Sequence, residues 1–487
     1  MSFSKTYAAQ VSGLRADIVT IEVDLSNGLH AFSVVGLGDR AVEEAKDRVS
    51  AAIKNSGFVS PKQRNQKVVI SLAPADIRKE GTAFDLGMAV GYLSAAGSIN
   101  FESDKHIFIG ELSLEGNVHP VRGILAMIRT AKEKGFASAF IPTENAQEAA
   151  LVPDILIYPT NSLLQLTEHI SGKNKIKPRP RTRIMTAPRS DETVDFGDIH
   201  GQEHAKRALE IGAAGRHNVA MYGPPGTGKT MLAKAFAEIL PNLSHAEVLE
   251  VTEIYSITGV SSVITRPPFR APHHTSPYSA IIGGGGSPKP GEITLAHRGV
   301  LFLDEFTEFD RRTIDSLRQP MEEKKITITR TKESVTYPAD CIYIFAMNPC
   351  ACGGKKCICT EKEIVRYRKK ISGPIADRID IWISVSKIEH EKFSNGTGAN
   401  KTVADESKLM AGRIRQARLF NRNCNSNAEI NPRALSFFTE SAKKLNLSGR
   451  AYVRTVHVAR TIADLAQSRE IKKEHIMEAL QYRQRDY

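Results

Sequence analysis

Gly223-Pro224-Pro225-Gly226-Thr227-Gly228-Lys229-Thr230 fits the pattern G-x-x-x-x-G-K-[ST] at every fixed position. The apolar run Asn218-Val-Ala-Met-Tyr222 before it reads as a strand, and residues 231–240 after it read as a helix. Strand, loop and helix in that order form the context a phosphate-binding loop needs. The glycines let the backbone wrap a phosphate, with N–H groups turned inward beside the positive end of a helix dipole. In such a loop Lys229 reaches the β- and γ-phosphates and the Thr230 hydroxyl sits on Mg²⁺. The plain alternative is a Gly/Pro-rich turn before a helix, which does not require every fixed position to be filled.

Working outward, Gly299-Val-Leu-Phe-Leu-Asp-Glu305 is an apolar strand ending in two acids. Asp304 at such a strand end suits Mg²⁺ held through water, and Glu305 suits a base that orients the attacking water. Cys341-Ile-Tyr-Ile-Phe-Ala-Met-Asn348 is a further strand ending in an amide, where Asn348 can contact a γ-phosphate or the lytic water. Arg378, in Ile371-Ser-Gly-Pro-Ile-Ala-Asp-Arg-Ile-Asp380, is a candidate for stabilising transition-state charge in a neighbouring subunit; a local pair with Asp377 or Asp380 is the structural alternative.

The chain has 487 residues, enough for about three domains. Residues 1–170 alternate strand and helix patterns and read as an α+β domain. Residues 171–190 carry seven Lys or Arg, three Pro and no acid, and read as an exposed basic linker. Residues 191–388 give an α/β pattern around the phosphate loop, with a parallel sheet expected. Residues 389–487 read as helical throughout. The net charge of +12 suits an anionic partner such as DNA, although a basic soluble enzyme would carry the same charge. The sequence shows neither a signal-peptide h-region nor an apolar run long enough to span a bilayer, so a cytoplasmic location is expected.

Cys350, Cys352, Cys357 and Cys359 give C-x-C-x4-C-x-C, dense enough for a closed zinc site; free thiols and a redox pair are the other readings. Lys229 and Asp304 are 75 residues apart, and the chain between them contains a Gly/Ser/Pro/Arg-rich stretch at 256–287. A loop this long is usually functional or disordered. Arg270, His273, His274, Lys289 and Arg298 within it are phosphate-contact candidates if it faces DNA. Residues 324–337 alternate with period two and read as a hairpin with Arg330 and Lys332 near its tip.

The order of loop, acidic strand, Asn-ended strand, Arg and helical tail resembles the AAA+ ATPases. Residues 195–218, Phe269-Arg-Ala-Pro-His-His-Thr275, residues 290–299 and Ile371-Ser-Gly-Pro374 resemble the Mg-chelatase-like group, and together they resemble the bacterial ComM or YifB family. The resemblance implies a multi-domain α/β chain: an N-terminal Lon-protease-like domain, a central P-loop AAA+ domain and a C-terminal all-α lid. It implies ATP and Mg²⁺ as ligands and assembly into a ring, expected as a hexamer. It also implies a DNA helicase that promotes branch migration during natural transformation. By the same resemblance Arg450, in Leu447-Ser-Gly-Arg-Ala-Tyr452, takes the second-sensor role; a helix-face arginine is the alternative reading. Gly449 stands where alanine is expected. The basic hairpin becomes the one that enters the channel.

Residues 111–125 and 131–145 resemble the core of Lon-type protease domains, which use a Ser nucleophile and a Lys base. Here Ala83 stands at the serine's place and Leu125 at the lysine's, so proteolysis is not expected. A metal-chelatase motor acting on a non-DNA substrate is the competing function.

Overall fold

The computed structural model describes residues 3–63, 65–184, 194–285, 289–329, 334–353, 357–386, 405–423 and 429–483. Arg330, Lys332, residues 185–190 of the basic stretch, Lys355, Lys356, Cys424 and the expected boundary near 388 lie outside the described residues. By internal contact the chain divides into two compact units. One comprises Met1–Met185 with His245–Ile264, the other Thr186–Ser244 with Thr265–Tyr487.

The first unit is built on a four-stranded sheet in which Arg15–Asn27 lies between Phe3–Ser12 and Gln66–Ala73, with Ala31–Val35 on the far edge. Apolar residues of Arg15–Asn27 alternate inward, with Val19, Ile21 and Val23 fully buried, the period-two pattern of a half-covered strand. Arg40–Asn55 begins at Asp39, whose carboxylate accepts from the Val42 amide at 2.9 Å and so closes an otherwise open helix end. Asp85–Ala95 is buried nearly all round, and its Gly91 lets the chain pass within reach of Val23 and Thr6. A second, parallel sheet joins His106–Phe108, Ser138–Pro142 and Leu156–Thr160.

Two further segments join this unit. The basic stretch is bound as far as Ile184: Arg179 N donates to Ile157 O at 2.8 Å and Thr182 N to Ala150 O at 2.9 Å, so these residues extend the unit's edge. Between the phosphate-loop helix and the Gly/Ser/Pro/Arg-rich stretch the chain forms a further element. His245–Thr258 is a helix that joins the first unit, although its sequence interrupts the second. Its Glu253 pairs with Arg129 at 2.5 Å, its Ser256 carbonyl accepts from Gly123 N at 3.0 Å, and Leu249 and Val263 pack on the cluster that holds Ala83 and Leu125. Ala83 is 7% and Leu125 0% exposed. The places of a nucleophile and a base are therefore filled by an apolar core.

The second unit is organised by a five-stranded sheet in the order Phe269–Arg270, Val300–Leu303, Ile342–Met347, Val219–Tyr222, Ile381–Ser384, with every neighbouring pair parallel. Val300–Leu303 and Ile342–Met347 are buried at every position, as strands covered on both faces must be. The described part of the tail forms the helices Glu406–Asn423, Pro432–Lys444, Gly449–Leu465 and Lys473–Gln481, and Met410, Phe438, Val458 and Ile476 share the core of the sheet and its helices. Lys325–Thr329 and Ser334–Pro338 pair antiparallel, as the period-two pattern predicts. No helix among the described residues is long and apolar enough to cross a membrane.

In the first unit Glu148 is 1% exposed. Neither oxygen completes a well-formed hydrogen bond, although the Ser256 hydroxyl and the Leu125 amide partly offset its burial, which pushes the carboxyl up to about 7. A folded value above the unfolded one means that the fold favours the protonated form. Stability is kept below the unfolded value near 4.5 and lost as pH rises through 7. Glu148→Gln is therefore expected to gain stability relative to the parent on going from pH 5 to pH 8, by about 2–3 kcal/mol. Thermal unfolding of both proteins across that range checks it; a constant difference contradicts it.

Candidate functional site

A parallel sheet carries its ligands beyond the carboxyl ends of its strands. Val219–Tyr222, Val300–Leu303 and Ile342–Met347 end side by side, and each end supplies one expected group. After Tyr222 the chain passes so close to the next strand that a Cβ on Gly223 would stand 2.1 Å from the Val385 carbonyl oxygen. Gly226 and Gly228 take φ of +74° and +87°, the left-handed region open to glycine. Thr227 Oγ1 closes the turn on Pro224 O at 2.9 Å. Lys229–Ile239 then begins directly after Gly228, so the loop amides and the helix start share one concavity.

Lys229 is buried and donates from Nζ to Gly223 O at 2.7 Å, Pro224 O at 2.9 Å and Asn348 Oδ1 at 3.4 Å. Burial lowers its pKa, and the carboxylates of Asp304 and Glu305 work against that, keeping a cation in place. Thr230 Oγ1 donates to Asp304 Oδ2 at 2.9 Å. That hydroxyl and carboxylate are hard oxygen ligands at the place where Mg²⁺ is expected, so the residues present fit the ion. Asp304 Oδ1 also accepts the Glu305 amide at 2.9 Å. Glu305 has a φ of +49°, and this turn sends its side chain toward His274, with Oε2 3.2 Å from Nδ1. Nothing local in the sequence pairs His274 with Glu305; the partnership depends on the edge strand Phe269–Arg270 lying beside Val300–Leu303.

Arg378 follows the short helix Gly373–Ala376 and precedes Ile381–Ser384. Its guanidinium is buried, donates to Pro374 O at 2.6 Å and pairs with Glu322. The local partner is thus Glu322 and not Asp377, while Asp380 is taken by Arg454 at 2.5 Å. The Arg378 guanidinium holds Glu322 below the usual carboxylate range. Arg450 lies in the same cleft, with Nη2 3.8 Å from Glu322, together with Arg454 and His457. Sequence reasoning missed Glu322, Arg454 and His457, because the cleft joins segments far apart in the chain.

The four cysteine sulfurs lie within 4.8 Å of one another. Cys350 and Cys352 are 3.3 Å apart, Cys350 and Cys357 3.5 Å, and Cys352 and Cys357 4.0 Å. Four thiolates around zinc at about 2.3 Å stand about 3.8 Å apart, so the cluster fits a tetrahedral ion.

The proposed nucleic-acid contacts fare unequally. Arg270 is held bidentate by Glu292 at 2.6 and 2.8 Å, and Arg298 pairs with Asp340 at 2.9 Å, because both serve the fold around the edge strand. Lys289 is exposed on the short ladder with Gly283–Gly284. Arg330 and Lys332 fall outside the described residues.

Three family models match: magnesium chelatase subunit ChlI over residues 195–393, subunit ChlI of Mg-chelatase over 21–145, and the ChlI C-terminal region over 396–483. The chain is 38% identical to competence protein ComM of Haemophilus influenzae, covering 99% of this chain and 98% of that one. It is 37% identical to the uncharacterized protein YifB of Escherichia coli, over 99% and 97% of the two chains. It is also 29% identical to Lon protease 2 of Bacillus subtilis over 30% of this chain and 29% of that one.

The close pass at Gly223 generates a test. Gly223→Ala forces the loop away from Val385 and is expected to cost about 1–3 kcal/mol of stability and to abolish nucleotide binding. Denaturant titration and a fluorescent nucleotide check it; unchanged values in both contradict the geometry.

Proposed function

The chain belongs to the Mg-chelatase-like ComM/YifB family, and from that premise we propose that it is an ATP-hydrolysing motor that assembles as a ring, expected to be a hexamer, and acts on DNA. The observation that carries the ATPase reading is the meeting of three strand ends: Thr230 on Asp304 at 2.9 Å, with Lys229 near Asn348. ATP with Mg²⁺ is the substrate. Residues 223–230 cradle its phosphates, Lys229 neutralises them, and Thr230 with Asp304 holds the ion. Glu305 takes a proton from the attacking water once it leaves His274, and Asn348 orients that water. Arg378, released from Glu322, reaches the nucleotide of the next subunit, and Arg450 joins it from the same cleft. A head-to-tail interface that closes on itself makes a ring of such shared sites.

Kinship with a competence protein, the charge of +12 and the basic hairpin support DNA as the partner and branch migration in recombination as the work. We assign three working parts: residues 1–170 as a protease-like platform without a dyad, 191–388 as the motor and 389–487 as its helical lid. The apolar filling around Ala83 and Leu125 supports a binding role for the platform. Cys350, Cys352, Cys357 and Cys359 are assigned a structural zinc. A chelatase-type motor on a non-DNA substrate is the second reading, favoured by family models that bear the chelatase subunit's name.

ATPase rates with and without single-stranded and branched DNA, across a salt series, separate the two readings. The DNA motor predicts stimulation that fades with salt as counterions compete; no stimulation and no salt-dependent binding contradict it. In the same assay Lys229→Ala is expected to abolish nucleotide binding. Glu305→Gln is expected to keep binding and lose at least about a hundredfold in turnover; normal turnover refutes its role.

A further inference from the structure

The thiol-bearing turn runs beside the phosphate loop. Cys350 comes two residues after Asn348, so the first thiol-bearing turn grows from the strand end that supplies the sensor amide. The turn closes with Gly353 N donating to Cys350 O at 3.3 Å, and Gly353 takes a φ of +56°. A Cβ on Gly353 would stand 3.4 Å from Pro225 Cγ and 3.8 Å from Asn348 Nδ2. The turn therefore runs beside the phosphate loop on one side and Asn348 on the other, with room for about one methyl group between them. Asn348 in turn accepts from Lys229 Nζ at 3.4 Å. Behind the strand end, Tyr367 takes the Asn348 amide and contacts Thr307, which follows Asp304 and Glu305 by two or three residues.

Thiol-to-thiol contacts of 3.3 to 4.0 Å are weak restraints. Four bonds to a thiophilic cation are strong ones, and they fix all four chain positions at once. A turn fixed in advance spares the nucleotide the cost of ordering Pro225 and Asn348.

We propose that the Cys350–Cys359 site is regulatory as well as structural: occupancy by a thiophilic divalent cation sets Gly353 and Asn348 and thereby tightens nucleotide binding at the phosphate loop. The proposal rests on the ATPase reading above. It makes the cation an effector of the nucleotide site within one subunit, and coupling of that kind is reciprocal.

The full-length protein tests it, with zinc as the probe and binding as the readout. Elemental analysis is expected to give about one zinc per chain. Removing zinc with a chelator is expected to weaken binding of a fluorescent ATP analogue by about fivefold or more. ATP analogue with Mg²⁺ is then expected to tighten zinc by the same factor in chelator competition. Gly353→Ala keeps all four thiols while its Cβ enters the space beside Pro225 and opposes the φ of +56°, so it is expected to retain zinc while its zinc–nucleotide coupling shrinks. If the metal-free chain unfolds, the zinc-loaded parent and Gly353→Ala are compared directly, and equal nucleotide affinities overturn the proposal. Zinc that binds without changing nucleotide affinity, or no zinc at all, overturns the regulatory site and leaves the ATPase reading standing. Failure to bind nucleotide in the zinc-loaded protein overturns both.

Discussion

Thr230 and Asp304 are 74 residues apart in the chain and 2.9 Å apart in space. That hydrogen bond depends on the strand order, which places the Asn348-bearing strand between the phosphate-loop strand and the acidic strand. With three parallel ends adjacent, one cation from Lys229, one amide from Asn348 and two carboxylates from Asp304 and Glu305 converge without any of them leaving its own strand end. Val300–Leu303 and Ile342–Met347 are buried along their full length and the phosphate-loop strand at residues 219–221, so hydrophobic burial fixes the positions that the polar groups use. The chemistry is inherited from the register: shift one strand and the pair at Thr230 and Asp304 is lost.

Two polar partnerships hold reacting groups in check. His274 engages Glu305, and Glu322 engages Arg378 with Arg450 nearby. Both partners come from segments outside the strand ends, so a movement of either segment would change the availability of Glu305 or Arg378, the groups proposed to act on ATP, without disturbing the sheet. The helix His245–Thr258 has a related position. Both of its ends continue into the ATPase unit, while its side chains complete the core of the first unit. The first unit is thus tied to the motor by three chain connections in place of one, and Ala83 and Leu125 lie in its apolar core.

Much of the site was legible because its signals are local. The loop at 223–230, the acids after Val300–Leu303 and the amide after Ile342–Met347 are each written within a few residues, and the parallel sheet follows from their apolar strands. The tail helices were equally readable from their spacing. What escaped depended on distant residues. Nothing near Arg378 announces Glu322, and nothing near Pro225 announces Gly353. Composition reports charge and solvation for the basic stretch and cannot see that Arg179 and Thr182 are held by backbone groups. The sequence offered no sign of where His245–Thr258 belongs for a similar reason: its partners, Arg129 and Gly123, lie more than a hundred residues upstream.

On the proposed reading, each ATPase site is built by two copies of the chain. Mixing Lys229→Ala subunits with Arg378→Ala subunits tests it most directly, since the first cannot bind nucleotide and the second cannot serve its neighbour. The account predicts two inactive proteins whose mixture recovers ATP hydrolysis, because Arg378 of the first kind completes the intact loop of the second. A mixture that forms rings and stays inactive at every ratio would contradict it.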